Sequence, residues 1–314
     1  LETILVIINP NAGKRRGNKD WPLINRLLSE AGLKFHHMFT EGVMDACRFA
    51  KEAAEQGVQH IITVGGDGTL NEVANGILQH SIANAKDITL SLIPIGTGDD
   101  WARNYGVPAD YPGAVEVIAR GKTVLQDAGW VSYNSRGGFT ERYFVNSAGV
   151  GFDAEVVFDT NARKEQGSVG KIAYLWSMLK AMFRYVAREV RINIDGKNVF
   201  DGKLYSANIG VCRYSGGGMQ QVPMAVPDDG LLDITIIRNV GKTKVIRNVK
   251  GLYDGSFIKM DEVATHRGTH ISIESPEGLL LEADGESLGR PPYEFRIFPL
   301  VLKVKVPLSY IPLR

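Results

Sequence analysis

Cysteine is nearly absent from this chain of 314 residues, with Cys47 and Cys212 the two examples. They lie far apart and show no metal-ligand spacing, which excludes a disulfide framework and fits reduced thiols in a cytosolic protein. The six histidines offer no ligand set either: His36 and His37 are adjacent, and His266 and His270 flank an exposed-looking Arg-Gly-Thr. No apolar run is long enough to span a bilayer, and no signal peptide is visible. Charge of one sign is lacking as well. The 36 basic residues oppose 35 acidic ones for a formal net charge of +1, so there is no overall field of the kind a general nucleic-acid binder needs. Any basic surface must be local. Internal repeats and low-complexity tracts are also missing. Because the first residue is Leu1 rather than Met, the native start is expected to lie outside this sequence.

What is present is enough for substantial cores, since 44% of residues are hydrophobic, and the length points to two domains. Strand and helix alternate in the first part: Ile4 to Ile8, an amphipathic helix around Trp21 to Ala31, a strand at Phe35 to Phe39, and a helix from Met44 to Gln56. That alternation predicts a doubly wound, Rossmann-like α/β nucleotide domain over 1–124. From about Val124 the texture changes to strands punctuated by turn residues. Candidates are Tyr143 to Ala148, Glu189 to Ile194, Leu204 to Cys212, Leu232 to Ile237, Ile271 to Glu274, Leu279 to Ala283 and Phe295 to Val306. Asp195-Gly196 is a strong hairpin signal. A mainly antiparallel β-sandwich domain is therefore expected over 125–300, with 301–314 a C-terminal segment able to return to the first domain.

The most informative stretch is Val64-Gly65-Gly66-Asp67-Gly68-Thr69-Leu70-Asn71-Glu72-Val73. The β-branched run His60 to Val64 precedes it, and Leu70, Val73, Ala74 and Ile77 recur behind it at helical spacing. Strand, glycine turn and helix together make an anion site, because glycine lets a phosphate approach the backbone and the first helical amides supply donors. Asp67 would repel a phosphate, so a magnesium ion or a hydroxyl proton is its expected partner. The plain alternative is a sharp turn capped by Asp67 or Thr69. Two similar loops favour function: Asn9-Pro10-Asn11-Ala12-Gly13-Lys14-Arg15-Arg16-Gly17 after the first strand, and Gly96-Thr97-Gly98-Asp99-Asp100 after Ile88 to Pro94. In a parallel sheet such loops share the carboxyl edge, where open α/β sheets bind ligands.

One further segment is unusual. A long helix from about Gly170 to Arg188 is predicted, with Ser177, Lys180, Arg184 and Arg188 in a narrow basic stripe and apolar or aromatic residues, Trp176 and Phe183 among them, nearly everywhere else. Its apolar arc is wider than one packing face requires. A helix clamped between the domains and an element lying in the face of an anionic membrane both fit.

On these residues the chain resembles the diacylglycerol kinase catalytic family, most closely the soluble bacterial lipid kinases, over nearly its whole length. The resemblance rests on Asn9 to Gly13, on Gly65 to Glu72 and on Gly96 to Asp100. It also rests on Ser147-Ala148-Gly149-Val150-Gly151-Phe152-Asp153-Ala154, on Pro227-Asp228-Asp229-Gly230-Leu231-Leu232-Asp233 and on Asp284-Gly285-Glu286. The glycine-aspartate motif alone is shared with NAD kinases. Where the family usually has Asn in the third loop, this chain has Asp99.

The resemblance implies an ATP-dependent kinase that phosphorylates a lipid hydroxyl, with diacylglycerol the leading acceptor. It implies that Asn9, Pro10, Asn11, Ala12, Gly13, Lys14, Thr40, Gly66, Asp67, Gly68, Thr69, Leu70, Asn71, Glu72 and Thr97 hold the nucleotide. Glu286 would be the general base, with Asp67 and Asp100 presenting Mg²⁺. A separate structural Mg²⁺ would be held by Asp229 with the carbonyls of Val226 and Leu231, the alternative being an Asp229 that caps an ordinary turn. The chemistry agrees, since phosphoryl transfer needs positioning, charge neutralisation and a proton acceptor. Other lipid alcohols (sphingoid base, ceramide, phosphatidylglycerol), an NAD kinase, and a non-catalytic nucleotide-gated lipid-binding protein are the competing readings. The expected setting is the cytoplasm, with transient contact to anionic membrane and no nucleic-acid partner. Oligomeric state is not legible, and a homodimer stays open.

Overall fold

In the computed structural model, residues 3–96, 98–135, 137–165 and 184–312 are described, the side chains of 162–165 excepted. The first strand, β1 (Ile4–Ile8), is buried at every position, as a parallel strand covered on both faces must be. It pairs in parallel with β2 (Phe35–Phe39) and β3 (His60–Gly65), and β3 pairs in parallel with β4 (Thr89–Pro94). Between them run helices α1 (Ala12–Lys19), α2 (Trp21–Glu30), α3 (Asp45–Glu55) and α4 (Asp67–His80), followed after β4 by α5 (Asp100–Tyr105) and α6 (Tyr111–Arg120). Their apolar faces close over the sheet: Ile24 and Leu28 of α2, Ala46 and Ala50 of α3, and Leu70, Val73, Ala74 and Ile77 of α4 are each 0% exposed. This is the α/β pattern expected of the first part.

The rest is predominantly antiparallel. β5 (Lys122–Ser135) and β6 (Gly138–Phe144) form a hairpin, followed by β7 (Ser147–Gly151), α7 (Phe152–Glu165), β8 (Arg188–Ile194) and β9 (Lys197–Gly210). β10 (Leu232–Arg238) and β11 (Val263–Gly268) continue from β9, while β12 (His270–Glu274) lies between β8 and the long β15 (Arg290–Val306). β13 (Leu281–Ala283) pairs with β7 and with the short β14 (Glu286–Ser287). Inward residues such as Val150, Ile192, Ile209, Ile234, Ile271 and Phe295 make a second core. At the β8–β9 turn Asp195 and Gly196 both take positive φ, 48° and 77°, the backbone that a two-residue hairpin of right-handed twist demands.

β15 joins the two parts. Its first half pairs antiparallel with β12 and β5, and its second half pairs with β4 in parallel through Lys303 and Val304 while still following β5. The register shifts between Phe298 and Leu302. There the wholly buried carboxylate of Asp127 accepts from the amides of Leu300 and Gly230, each at 2.7 Å.

Two sequence expectations change in the structure. Tyr143 to Ala148 is not one strand: β6 ends at Phe144 and β7 starts at Ser147, because the amides of Val145, Asn146 and Ser147 turn to the carboxylate of Asp284 at 2.8, 3.0 and 3.0 Å. The expected helix Gly170 to Arg188 lies largely outside the described residues, including Trp176, Ser177, Lys180 and Phe183. Arg184 is helical, but Arg188 opens β8 opposite Leu204, so the basic stripe does not reach it. Ladder bonds to β9 prevail over helical spacing there.

Candidate active site

The three glycine loops meet at the carboxyl edge of β1, β3 and β4. Asn9, just past β1, donates from Nδ2 to Thr69 Oγ1 at 3.0 Å and accepts from its own loop at Asn11 N, also 3.0 Å. Gly13 has φ +58°, and a Cβ there would lie 2.3 Å from the carbonyl oxygen of Ile95, so only glycine lets the first and third loops touch. Lys14 and Arg15 follow with φ of 62° and 69°. Non-glycine residues in this region cost about 1–3 kcal/mol each, a strain kept where a loop serves a ligand. Both side chains are exposed, whereas Arg16 is committed to Asp20 and Tyr111. A Cβ on Gly66 would meet Gly96 Cα at 3.1 Å, which brings the second loop against the third.

Asp67 opens α4 and binds the third loop: its Oδ1 accepts from Trp101 N at 3.0 Å and its Oδ2 from Asp100 N at 3.2 Å. Asp100 passes the link on, its two oxygens accepting from Gly217 N and Gly218 N at 2.8 and 2.6 Å. The Oδ2 atoms of Asp100 and Asp67 lie 3.1 and 3.3 Å from the position of a Cβ on Gly98, so the two carboxylates converge beside that loop. Burial, and then the charge of Asp67, push Asp99 and Asp100 up to about 6. Asp99, at φ 48°, spends Oδ1 on Gly96 N at 2.8 Å; it holds its own loop. Converging hard oxygens under mutual repulsion suit Mg²⁺ carried with a nucleotide. Among the described residues, though, no three such side chains already form a ligand cluster.

Glu286 arrives from the other part of the chain. Its Oε1 is 3.3 Å from where a Cβ on Gly68 would stand, which sets the carboxylate over the first turn of α4, one residue from Asp67. The tight turn Asp284-Gly285 that carries it is anchored from below. Asp284 accepts from the amides of residues 145–147 and from Asn71 Nδ2 at 2.7 Å. Burial pushes this carboxyl up to about 6 while those donors pull it down. Glu282 accepts from Gly285 N at 2.9 Å, and burial pushes it up to about 8.

Of the other expected nucleotide residues, Leu70 and Asn71 are fully buried behind the loop. Asn71 bonds Asp284, the Tyr143 carbonyl and Arg142 rather than facing the cleft. Glu72 turns to Ala46 N at 3.2 Å. Thr40 closes the end of β2, its amide donating to Ile8 O at 2.9 Å. Pro10 and Ala12 shape the first loop, where Pro10 O accepts from Asn18 N. Thr97 lies outside the described residues, between Gly96 and Gly98.

The residues implied for a structural metal lie at a turn that carries an ion pair. Asp229 Oδ1 accepts from Leu231 N at 3.1 Å, and Oδ2 pairs with Arg267 Nη2 at 3.0 Å, the same guanidinium that grips Asp233 at 2.9 and 3.2 Å. Val226 and Leu231 flank that turn, and Arg267 bridges Asp229 and Asp233 there.

Sequence reasoning missed the Ser215 to Met219 loop under Asp100, although the run Gly216-Gly217-Gly218 signals it. It also missed a cavity of about 70 Å³ between the second sheet and the segment after β10, lined by Phe152, Tyr205, Ile237, Val245, Leu252 and Phe257. Asp153 forms the polar end of this cavity, bonded to Ser206, Asn208 and Gln221. Its carboxyl is pushed up by burial. A Cβ on Gly149 would fall 2.9 Å from Asn208 Oδ1 and 2.8 Å from Glu282 Oε1, so buried polar groups run from the cavity to the Glu286 turn.

Comparison with known proteins places both parts. Residues 3–131 match the diacylglycerol kinase catalytic domain, and residues 146–306 match the YegS C-terminal NAD kinase beta sandwich-like domain. The chain is similar to a diacylglycerol kinase of Staphylococcus carnosus, 31% identical over 92% of this chain and 90% of that one. It is similar to one of Mycobacterium tuberculosis, 31% identical over 84% and 82%. A solved structure from Bacillus anthracis, 26% identical, superposes over 99% of each chain with a TM-score of 0.79.

Proposed function

We propose, for a chain that belongs to the diacylglycerol kinase family and is a lipid kinase, that it transfers the γ-phosphoryl group of ATP to the hydroxyl of diacylglycerol, giving phosphatidic acid. The observation that carries this reading is the meeting of Glu286 with the glycine-aspartate turn at Gly68, over 200 residues away in sequence. In the reaction the lipid hydroxyl attacks the γ-phosphorus, the bond from that phosphorus to the β–γ bridging oxygen breaks and ADP leaves, while the hydroxyl proton passes to Glu286, a step for which a placed carboxylate supplies typically about 10²–10⁴ in rate. The triphosphate lies along the loops of Asn9 to Lys14 and Gly66 to Thr69, where helix α4 offers its first amides and Lys14 and Arg15 offset negative charge. Asp67 and Asp100 would hold the magnesium that accompanies ATP, and that ion supplies further charge neutralisation. Because Asp67 accepts from the Asp100 amide and Asp100 in turn from the amides of Gly217 and Gly218, the two carboxylates also fix the relative position of the loops.

The cavity ending at Asp153, whose volume of about 70 Å³ would take only a few methylene groups, supports part of a lipid acceptor, because its wall is apolar while the buried polar groups lead toward Glu286. No helix among the described residues is long and apolar enough to cross a membrane. The proposed use of ATP on a bilayer lipid places the enzyme in the cytoplasm with transient contact to the bilayer. The test is a screen with labelled ATP against diacylglycerol, sphingosine, ceramide, phosphatidylglycerol and NAD. Diacylglycerol should be the preferred acceptor by at least tenfold in kcat/KM. Preference for another lipid alcohol would reassign the substrate, and preference for NAD would overturn the lipid reading.

A further inference from the structure

The segment after β10 has two faces of opposite character. Its helix Lys242–Asn248 passes through Val249 and Lys250, which keep helical angles, into Gly251–Asp254. Val245, Asn248 and Leu252 point inward and, with Phe257 and Met260, line the apolar cavity. Ile246, Lys250 and Tyr253, at i, i+4 and i+7, share the outward face. Ile246 and Tyr253 are 50% and 54% exposed, and Lys242, Arg247 and Lys250 are exposed beside them. Residues 241–260 carry five cations (Lys242, Lys244, Arg247, Lys250, Lys259) against one carboxylate, Asp254. In a chain whose total charge is +1, this leaves the remainder net negative. Asp261 and Glu262 follow at once, and Lys244 pairs with Glu262 at 2.6 Å, so the exposed cations of residues 242–254 are Lys242, Arg247 and Lys250.

We propose that the outward face of residues 242–254 is the surface by which the protein seats on an anionic bilayer, with Ile246 and Tyr253 entering the interface and Arg247 and Lys250 meeting lipid phosphates. The inference rests on the lipid-kinase reading for its purpose, since a cover whose inner wall lines the acceptor cavity is best placed against the phase that holds the acceptor. Charge complementarity selects an anionic surface, and the interleaved apolar side chains select a bilayer over a soluble polyanion. The same segment is tied to the catalytic loops. Gln220 donates its amide to Leu252 O at 2.6 Å and its Nε2 to Tyr253 O at 3.0 Å, two residues beyond the Gly218 held by Asp100.

The experiment is vesicle co-sedimentation without nucleotide, using equal parts phosphatidylglycerol and phosphatidylcholine against phosphatidylcholine alone. The parent should bind the anionic vesicles, bind the neutral ones at least tenfold more weakly, and lose affinity as salt rises. Arg247→Glu/Lys250→Glu should weaken anionic binding at least tenfold, since each basic residue near such a surface contributes roughly fivefold. Its melting temperature, and its rate on a short-chain diacylglycerol dissolved in water, should match the parent. Ile246→Ser/Tyr253→Ser should weaken binding even at high salt. Parent-like vesicle binding by the charge-reversed protein, equal binding of the parent to both vesicle types, or equally tight binding to double-stranded DNA would overturn the proposal. Failure of the parent to phosphorylate the dissolved substrate would instead count against the lipid-kinase reading on which the proposal rests, whatever the vesicles show.

Discussion

Individual carboxyl groups do most of the organising in this molecule, and they divide into those that face the cleft and those that hold it. Asp67 and Asp100 do both, while Asp284 and Asp127 are clamps whose oxygens are spent on buried amides. Glu282 is distinct because burial pushes it up to about 8. A carboxyl held above its ordinary value keeps a proton in the folded state that the unfolded chain has already released. Stability therefore falls as pH rises from about 4.5 to about 8. Burial pushes Asp99, Asp100, Asp127 and Asp284 only up to about 6, so above pH 6 the Glu282 contribution separates from theirs. Glu282→Gln should flatten the decline in melting temperature between pH 6 and pH 8 relative to the parent, by about one proton's linkage. Thermal denaturation of both proteins across that range checks it, and parallel curves would show that Glu282 is ionised throughout.

At the scale of elements, the features legible in the sequence are the local ones. β1, β3 and β4 are short apolar runs, the glycine loops follow them within a few residues, and Asp195-Gly196 marks its hairpin directly. Gly196→Ala should cost about 1–2 kcal/mol through its positive φ, lowering the melting temperature by a few degrees without changing turnover. A loss of turnover at unchanged stability would contradict a purely structural role for that turn. What resisted reading depends on partners far along the chain. The break between β6 and β7 is made by Asp284, which is 137 to 139 residues from the amides it binds. Arg267 sits 38 residues from Asp229, so nothing near Asp229 in sequence announces its guanidinium partner. Asn71 reads as a nucleotide ligand from its motif, yet its contacts with Tyr143 and Asp284 bury it. The helices at Phe152–Glu165 and Lys242–Asn248 passed unread for another reason: the first has little apolar periodicity and the second is short.

The whole molecule is an α/β part and a β part stitched by β5 and β15, with the chemistry assembled where they face each other. The glycine loops belong to the first part, the proposed base to the second, and the apolar cavity ending at Asp153 lies beyond the Glu286 turn. Asn71, on α4, reaches across to Asp284 at 2.7 Å, so the placement of Glu286 depends on the fit between the parts as much as on its own turn. The substitution Glu286→Gln tests this account most directly, because it keeps size and hydrogen bonding while removing the proton acceptor. Purified Glu286→Gln should keep the melting temperature and the ATP affinity of the parent, and its kcat for diacylglycerol phosphorylation should fall by about 10²–10⁴. Near-parent kcat in that variant would contradict the assignment of Glu286 as the base and, with it, the mechanism built on its meeting with the Gly68 turn.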